Sequence, residues 1–353
     1  MIARWLTARR TGPIGIDLGS RSIKLVQLSG DRSRLIEASR VELPPLPDSA
    51  TPQEQADRLA EALGRGLKDR AFRGRDAVVC LGERQLFVQS FRVAKQTGPQ
   101  LDRLVAQEAA GRVPFPLAEA ELRYVEASDV RQGDQTLREV IVFAAQRTLI
   151  QQVLDVIEAA RLRPVAVDVE AAALARSYAA QYRREEDRQA RALLVHVGHS
   201  RTLALVAQGD DLLFVKPIEI GGQHFDLAVA RFLKMDLNEA ILLRRHHGDR
   251  RAEDQDPEVA RSLADALRST LERLASELAM CIRYHSVTFR GQPLVRLVLS
   301  GGEATPALAE SLERQLGLRA ELSDPFRWLP VAPNLGRKCQ WDVAAGLALR
   351  ECS

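Results

Sequence analysis

The feature that most constrains the fold of this chain is a strand, turn and strand pattern that occurs once in each half. Residues 16–26 read IDLGSRSIKLV and residues 195–205 read VHVGHSRTLAL. The offset that carries Gly19 onto Gly198 also carries Asp17 onto His196. Such an internal echo predicts a duplicated fold, whose two halves face each other across a cleft suited to a ligand.

Strands and helices alternate along the rest of the chain, as is typical of α/β proteins. The stretch IGIDLGSRSIKLVQL predicts two strands, residues 52–70 predict a helix, and AVVCLG (77–82) predicts a buried strand. The second half opens with ALLVHVGHSRTLALVAQGDDLLFVKPIEIGG, which predicts three successive strands. The two halves therefore begin alike.

Residues 85–162 predict an inserted unit. Three apolar runs in it, QLFVQSFRV, ELRYVEA and REVIVFAAQ, predict strands. LDRLVAQEAAGR and TLIQQVLDVIEAARL show the apolar spacing of amphipathic helices. The order strand, helix, strand, strand, helix suits a small sheet with helices covering one face.

Composition excludes several classes of protein. The 353 residues are 46% apolar and 27% charged, which is ordinary for a globular protein, and no run approaches the ~18 to 20 apolar residues of a membrane span. Arginines alternate with acidic residues, as in RREEDRQAR, so no nucleic acid is expected as a partner. The four cysteines are scattered, which favours a cytoplasmic protein with reduced thiols. We interpret the opening MIARWLTARR as a basic N-terminus, with weak contact to an anionic membrane surface as the alternative.

The turn after the first strand has the chemistry of a phosphate loop. Glycine at position 19 lets the backbone approach a ligand closely, and successive N–H groups with the hydroxyls of Ser20 and Ser22 can surround a phosphate. Asp17 would then hold Mg²⁺, directly or through water. An ordinary hairpin is the alternative, because glycine and serine also make any tight turn.

Two double glycines add to this pattern. Gly221 and Gly222 precede a predicted helix, and Gly301 and Gly302 lie between a predicted strand and another helix. A strand that delivers glycines to a helix N-terminus suits the close approach of a nucleotide. The tail WDVAAGLALR predicts a helix of small residues that packs back across the cleft.

The order of these motifs resembles the superfamily of actin, Hsp70 and sugar-kinase ATPases. GIDLGSRS resembles its first phosphate loop, VHVGHSRT its second, and VLSGGEATPAL its adenosine motif. VDVEAAALARSY and VAAGLAL resemble its two connecting helices. Together with GRVPFPLAEAELRY these segments are most similar to the PilM family of type IV pilus assembly, from about Pro13 to Arg350.

This resemblance implies a fold and a domain organisation. The fold is an α/β, two-lobed actin-like ATPase fold of the duplicated ribonuclease H type, with an inserted small α+β subdomain like that of the cell-division protein FtsA. ATP and Mg²⁺ are the implied cofactors. The expected domains are the first part of lobe I (12–84), the inserted subdomain (85–162), the connecting helix of lobe I (163–182), lobe II (191–337) and the C-terminal connecting helix (338–353).

The resemblance also assigns site residues. Glu170 would orient the attacking water, although a helix N-terminal glutamate is the alternative, and Asp17 would lie next to the metal. Lys24 belongs to the first loop, or else faces solvent. The residues expected to bind the cofactor are Asp17, Gly19, Ser20, Arg21, Ser22, Lys24, Gly198, Ser200, Thr202, Gly221, Gly222, Gly301, Gly302 and Glu303.

The implied role is a scaffold rather than a metabolic enzyme. Members of the family bind the short cytoplasmic N-terminal segment of an inner-membrane protein, PilN, beside the inserted subdomain. This chain would therefore be cytoplasmic and would reach the inner membrane only through that partner. Self-association of the chain is left open. The alternative is a small-molecule kinase of the same superfamily.

Two departures from the superfamily pattern reduce the expectation of ATP hydrolysis. His196 stands where the second phosphate loop normally has an aspartate, and imidazole is a poor ligand for Mg²⁺. Met280 and Cys281 stand where a basic residue and a serine would face the adenosine. We expect binding of ATP with weak or absent hydrolysis.

Overall fold

The computed structural model describes residues 11–44, 49–82, 85–249, 256–289 and 292–351. The chain divides into two compact units. The first contains residues 1–191, 205–215 and 323–353, and the second contains residues 192–204 and 216–322. The opening MIARWLTARR lies outside the described residues.

The elements follow the predicted order. The strands are β1 (Thr11–Leu18), β2 (Ser22–Ser29), β3 (Leu35–Glu42), β4 (Asp76–Cys80), β5 (Phe87–Ala94), β6 (Ala120–Gln132), β7 (Gln135–Gln146), β8 (Arg163–Asp168), β9 (Arg191–Val197), β10 (Thr202–Gln208), β11 (Asp211–Ile218), β12 (Leu294–Ser300) and β13 (Ala320–Leu322). The helices are α1 (Pro52–Leu67), α2 (Pro99–Ala110), α3 (Arg147–Ala159), α4 (Glu170–Gln181), α5 (Glu185–Gln189), α6 (Gly222–Leu233), α7 (Leu237–Asp249), α8 (Pro257–Thr288), α9 (Pro306–Leu316) and α10 (Asp342–Ala348).

Two five-stranded sheets have the same strand order. The first is β3-β2-β1-β4-β8 and the second is β11-β10-β9-β12-β13. In both sheets, three strands that are consecutive in sequence lie side by side, and two later strands join the sheet after crossover connections. The similarity of IDLGSRS and VHVGHSR predicts such a duplicated fold. In the first sheet β1, β4 and β8 run parallel, so their carboxyl ends meet at one edge.

The third sheet, β5-β7-β6, belongs to the predicted insertion. Helix α2 covers it by packing Leu101 and Val105 against Phe91 and Val140. Helix α3 was expected to cover the same sheet, and this expectation is wrong. Its apolar side chains, Ile157 among them, instead join the core of the first sheet with β1 and α1.

Helix α10 packs against β1 and α4 within the first unit. The contact is backbone on backbone, because a Cβ at Gly346 would overlap the carbonyl of Ala173 and one at Gly15 would overlap the carbonyl of Ala344. Small residues in WDVAAGLALR therefore allow the helix to lie directly on its neighbours.

Helix α8 is 32 residues long, but its apolar residues are interrupted by charges. Over the described part of the chain, no helix combines the length and the apolar character needed to cross a membrane.

Candidate functional site

The carboxyl ends of β1, β4 and β8 gather several polar side chains at one edge of the first sheet. Asp17 lies near the end of β1, and Cys80 is paired in register with Asp168 at the ends of β4 and β8. Burial raises the pKa of the Cys80 thiol well above its ordinary value, and the charges of Asp17, Glu170 and Asp168 raise it further. This edge is where α/β sheets bind ligands.

Asp17 and Lys24 form a buried ion pair. They are direct partners in the β1–β2 register, and Lys24 Nζ lies 2.8 Å from Asp17 Oδ2. Their exposed fractions are 8% for Asp17 and 7% for Lys24, so the alternative of a solvent-facing lysine is wrong. The lysine explains how a carboxylate can be placed between Ile16 and Leu18, since a buried charge needs a partner.

The turn between β1 and β2 is as tight as the sequence predicts. A Cβ at Gly19 would lie 2.8 Å from the carbonyl oxygen of Ser22, so only glycine fits without a shift. Ser20 is exposed at the tip, Arg21 is half-buried and Ser22 is buried. Of the two serine hydroxyls, that of Ser20 is the accessible one.

Asp168 is a buried anchor that the sequence did not single out. Its carboxylate binds the guanidinium of Arg176 and lies 2.9 Å from Arg350 Nη1, and it accepts a hydrogen bond from the backbone N–H of Val169 at 2.8 Å. Arg176 also donates to the carbonyl of Gly346 at 3.0 Å. Asp168 thereby fixes the start of α4, where Glu170 stands. A signal was present, because an aspartate ends the strand that precedes the helix.

In the second unit, the β9–β10 turn interlocks with the first double glycine. The backbone N–H of Gly222 donates to the carbonyl of Gly198 at 3.0 Å. A Cβ at Gly221 would lie 2.7 Å from the backbone nitrogen of Arg201 and 2.7 Å from the carbonyl oxygen of His199. The two loops therefore pack through their backbones.

Two side chains on the strands beside this turn form hydrogen bonds within the protein. Thr202 is fully buried and donates its hydroxyl hydrogen to the carbonyl of Ile220 at 2.7 Å, so that hydrogen is not offered to a ligand. His196 Nδ1 lies 2.9 Å from the Ser300 hydroxyl, and both side chains are buried. Ser200 is half-buried at the turn.

The second double glycine lies beside the same turn. Gly301 has φ of +104°, and a Cβ there would overlap the carbonyl of Val197. Gly302 is different, because a Cβ there would meet no atom within 4 Å. Helix α9 begins only at Pro306, capped by the Thr305 hydroxyl, so the glycines do not lead directly into the helix N-terminus.

Glu303 belongs to a buried charge network. Its Oε2 lies 2.6 Å from Arg244 Nη1, and Arg244 also binds Asp226 at 2.7 Å. Burial alone would raise the pKa of Glu303, but the charge and hydrogen bond of Arg244 outweigh it and hold that pKa below its ordinary value. The network links α6 and α7 to the loop after β12, and the sequence did not predict it.

Met280 and Cys281 lie side by side on α8 in different environments. Met280 is 44% exposed, whereas Cys281 is buried, which raises the pKa of its thiol to about 11. Across the described ranges, no group of three or more histidine, cysteine, aspartate or glutamate side chains is arranged to hold a metal ion.

Comparison with known proteins places these features in context. The sequence model of the family described as type IV pilus assembly protein PilM matches residues 15–352. A solved structure described as the PilM–PilN type IV pilus biogenesis complex has 25% identity and a TM-score of 0.77, covering 96% of this chain and 98% of that one.

More distant structures share the fold. The ethanolamine utilization protein EutJ of Carboxydothermus hydrogenoformans has 15% identity and a TM-score of 0.56, covering 96% of this chain and 89% of that one. MreB5 of Spiroplasma citri bound to ADP has 10% identity and a TM-score of 0.50, covering 94% of each chain. The architecture is the actin-like ATPase fold, with an additional three-stranded sheet.

Proposed function

Because this chain belongs to the family of the type IV pilus assembly protein PilM, we propose that it is an adaptor of type IV pilus assembly. It binds the cytoplasmic N-terminal segment of a PilN-like inner-membrane protein. In this role the chain is cytoplasmic and is held at the inner membrane by that partner.

One observation carries this proposal. The match to the PilM–PilN complex covers 96% of this chain and 98% of the other, at a TM-score of 0.77. The match therefore includes the inserted sheet β5-β7-β6 together with the two larger sheets, and a partner-binding surface would be built from the same elements in both proteins.

We further propose that the nucleotide bound by this actin-like fold is ATP with Mg²⁺. In the first unit, the Ser20 hydroxyl and the backbone around Gly19 would hold phosphate, with Lys24 close by. Asp17, whose carboxylate pairs with Lys24, would hold the metal. In the second unit, the open space beside Gly302 supports close approach of a ligand to the backbone.

The remaining residues have supporting roles in this proposal. Glu303 and Thr202 hold the loops in place through Arg244 and Ile220 rather than contact the nucleotide. Glu170 would orient water, as in phosphoryl transfer. We expect weak or absent hydrolysis, because the imidazole at position 196 is bound to Ser300 and supplies no second carboxylate. A small-molecule kinase would need such a carboxylate.

Retention on proteoliposomes tests the adaptor function. The full chain is mixed with phosphatidylcholine vesicles that carry a PilN-like single-span protein, and matched phosphatidylcholine vesicles carry the same protein without its cytoplasmic N-terminal segment. We expect retention only by the complete partner. Equal retention on both kinds of vesicle, or none on either, would contradict the proposal.

A further inference from the structure

A cleft of about 760 Å³ opens at the edge of the first sheet opposite to Asp17. Its walls are the start of β1, the loop 73–76 before β4, and the turn 158–163 between α3 and β8. Since these strands run parallel, the cleft lies at their amino ends, away from the candidate nucleotide loops.

The cleft is lined by more positive than negative charge. Arg73, Arg75, Arg161 and Arg163 face two acidic side chains, Asp76 and Glu158. Arg163 binds Asp76 at 2.7 Å, so this pair is neutral. The guanidinium groups of the other three arginines form no ion pair with any residue that the structure describes, and all three residues are exposed.

Hydrogen bonds from β2 and β8 hold the backbone of the loop that carries Arg73 and Arg75. The Gln27 side chain is 1% exposed and donates to the carbonyls of Gly12 and Arg73, at 2.9 and 2.7 Å. It also accepts a hydrogen bond from the N–H of Arg73 at 2.8 Å. The N–H of Arg163 donates to the carbonyl of Arg75 at 2.7 Å, which joins the two arginine-bearing loops. These hydrogen bonds tie the backbone of Arg73 to β2 and that of Arg75 to β8.

Arg161 occupies a backbone conformation that favours glycine. It follows the C-cap of α3 with φ of +60°, the left-handed position that glycine takes most readily after a helix. An arginine at this position places a charge at the cleft that glycine would not supply.

We propose that this cleft contacts the anionic phospholipid headgroups of a membrane surface. An open cleft with exposed arginines suits a broad layer of phosphate groups, because guanidinium binds phosphate in two-pronged geometry. Among the described residues that line the cleft, none has an aromatic side chain on which a nucleic-acid base would stack.

The sequence that precedes Thr11 supports the same occupant. Thr11 lines the cleft, and the ten residues before it, MIARWLTARR, contain three further arginines, a tryptophan and the apolar Ile2 and Leu6. Basic residues together with tryptophan and aliphatic side chains are the composition of segments that bind at a lipid interface. Such a membrane contact would strengthen the membrane attachment that a protein partner provides, and it would not replace that partner.

Flotation of the full chain with lipid vesicles, without any protein partner, tests the proposal. The triple variant Arg73→Gln, Arg75→Gln, Arg161→Gln is compared with a control variant, Arg103→Gln, Arg183→Gln, Arg314→Gln, whose arginines are also exposed. We expect the wild type and the control to bind phosphatidylglycerol vesicles at low salt and not phosphatidylcholine vesicles. The cleft variant should bind about 100-fold more weakly, since each arginine near an anionic surface contributes about 1 kcal/mol.

Other results would overturn the proposal. Equal loss of binding in the cleft and control variants would mean that only net charge matters. Release from vesicles by inorganic phosphate, but not by chloride at the same ionic strength, would indicate a site for free phosphate instead. Binding of an oligonucleotide as tightly as the vesicles would indicate a nucleic-acid surface. Because no partner protein is present, failure here leaves the adaptor function untouched.

Discussion

The buried carboxyl group of Asp342 should make the stability of the protein depend on pH. Asp342 begins α10 with 3% of its surface exposed, and it accepts hydrogen bonds from Ser323, from Ser177 at 3.2 Å and from Gln181 at 3.2 Å. Its Oδ2 has no hydrogen-bond partner among the described residues. Burial raises the pKa from 3.8 to about 7, although the three hydrogen bonds act in the opposite direction.

The sign of the effect follows from the two pKa values. The folded state holds the proton more tightly than the unfolded chain, so rising pH destabilises the fold between about 4 and 7. Above pH 7 both states are ionised, and the full cost of about three pKa units is about 4 kcal/mol. About 2.5 kcal/mol of this cost appears between pH 5 and 8.5.

The substitution Asp342→Asn removes this titration. We expect the free energy of unfolding of the variant, relative to wild type, to increase by about 2.5 kcal/mol between pH 5 and 8.5. Urea unfolding of both proteins across that range measures the difference, with Asp155→Asn on the exposed face of α3 as the control. A constant difference between variant and wild type across the range would refute the reasoning.

Three further predictions concern single residues. Gly346→Ala should lower the free energy of unfolding by about 3 kcal/mol or more, because the added methyl group overlaps Ala173. Gly64→Ala in α1, where a Cβ meets nothing within 4 Å, should raise the free energy of unfolding by about 0.5 to 1 kcal/mol. Thermal melts of both variants measure these changes. Lys24→Met should cost about 3 to 5 kcal/mol because it leaves Asp17 buried without its partner, and the double variant Asp17→Asn, Lys24→Met should recover most of that loss in the same melts. Gly302→Val should leave the melting temperature unchanged but weaken ATP binding at least about tenfold (about 1.4 kcal/mol), because the side chain fills open space. A fluorescent-nucleotide titration measures the affinity. Unchanged affinity would argue against the second glycine pair as a ligand site.

The repeated fold could be predicted from the sequence because its signals are local. Alternating apolar residues and a turn glycine mark each copy, and the same turn recurs near Gly19 and Gly198. Each signal lies within about ten residues. The two sheets consequently have the strand order that a duplication requires.

The partners within the site could not be predicted because they depend on register and on distant contacts. The sequence leaves Lys24 on the phosphate loop or facing solvent, and only the pairing of β1 with β2 shows that it is the partner of Asp17. Asp168 and Arg350 lie far apart in sequence but bind each other. Helix α3 carried an apolar stripe that indicated burial, yet the stripe did not say which of two sheets would cover it.

The adaptor role depends most directly on binding of a peptide segment. A synthetic peptide with the cytoplasmic N-terminal sequence of the PilN-like partner is titrated into the full chain, with and without ATP and Mg²⁺, and a scrambled peptide serves as the control. We predict saturable binding of one peptide to each chain. No binding in either condition, or equal binding of the scrambled peptide, would contradict the account.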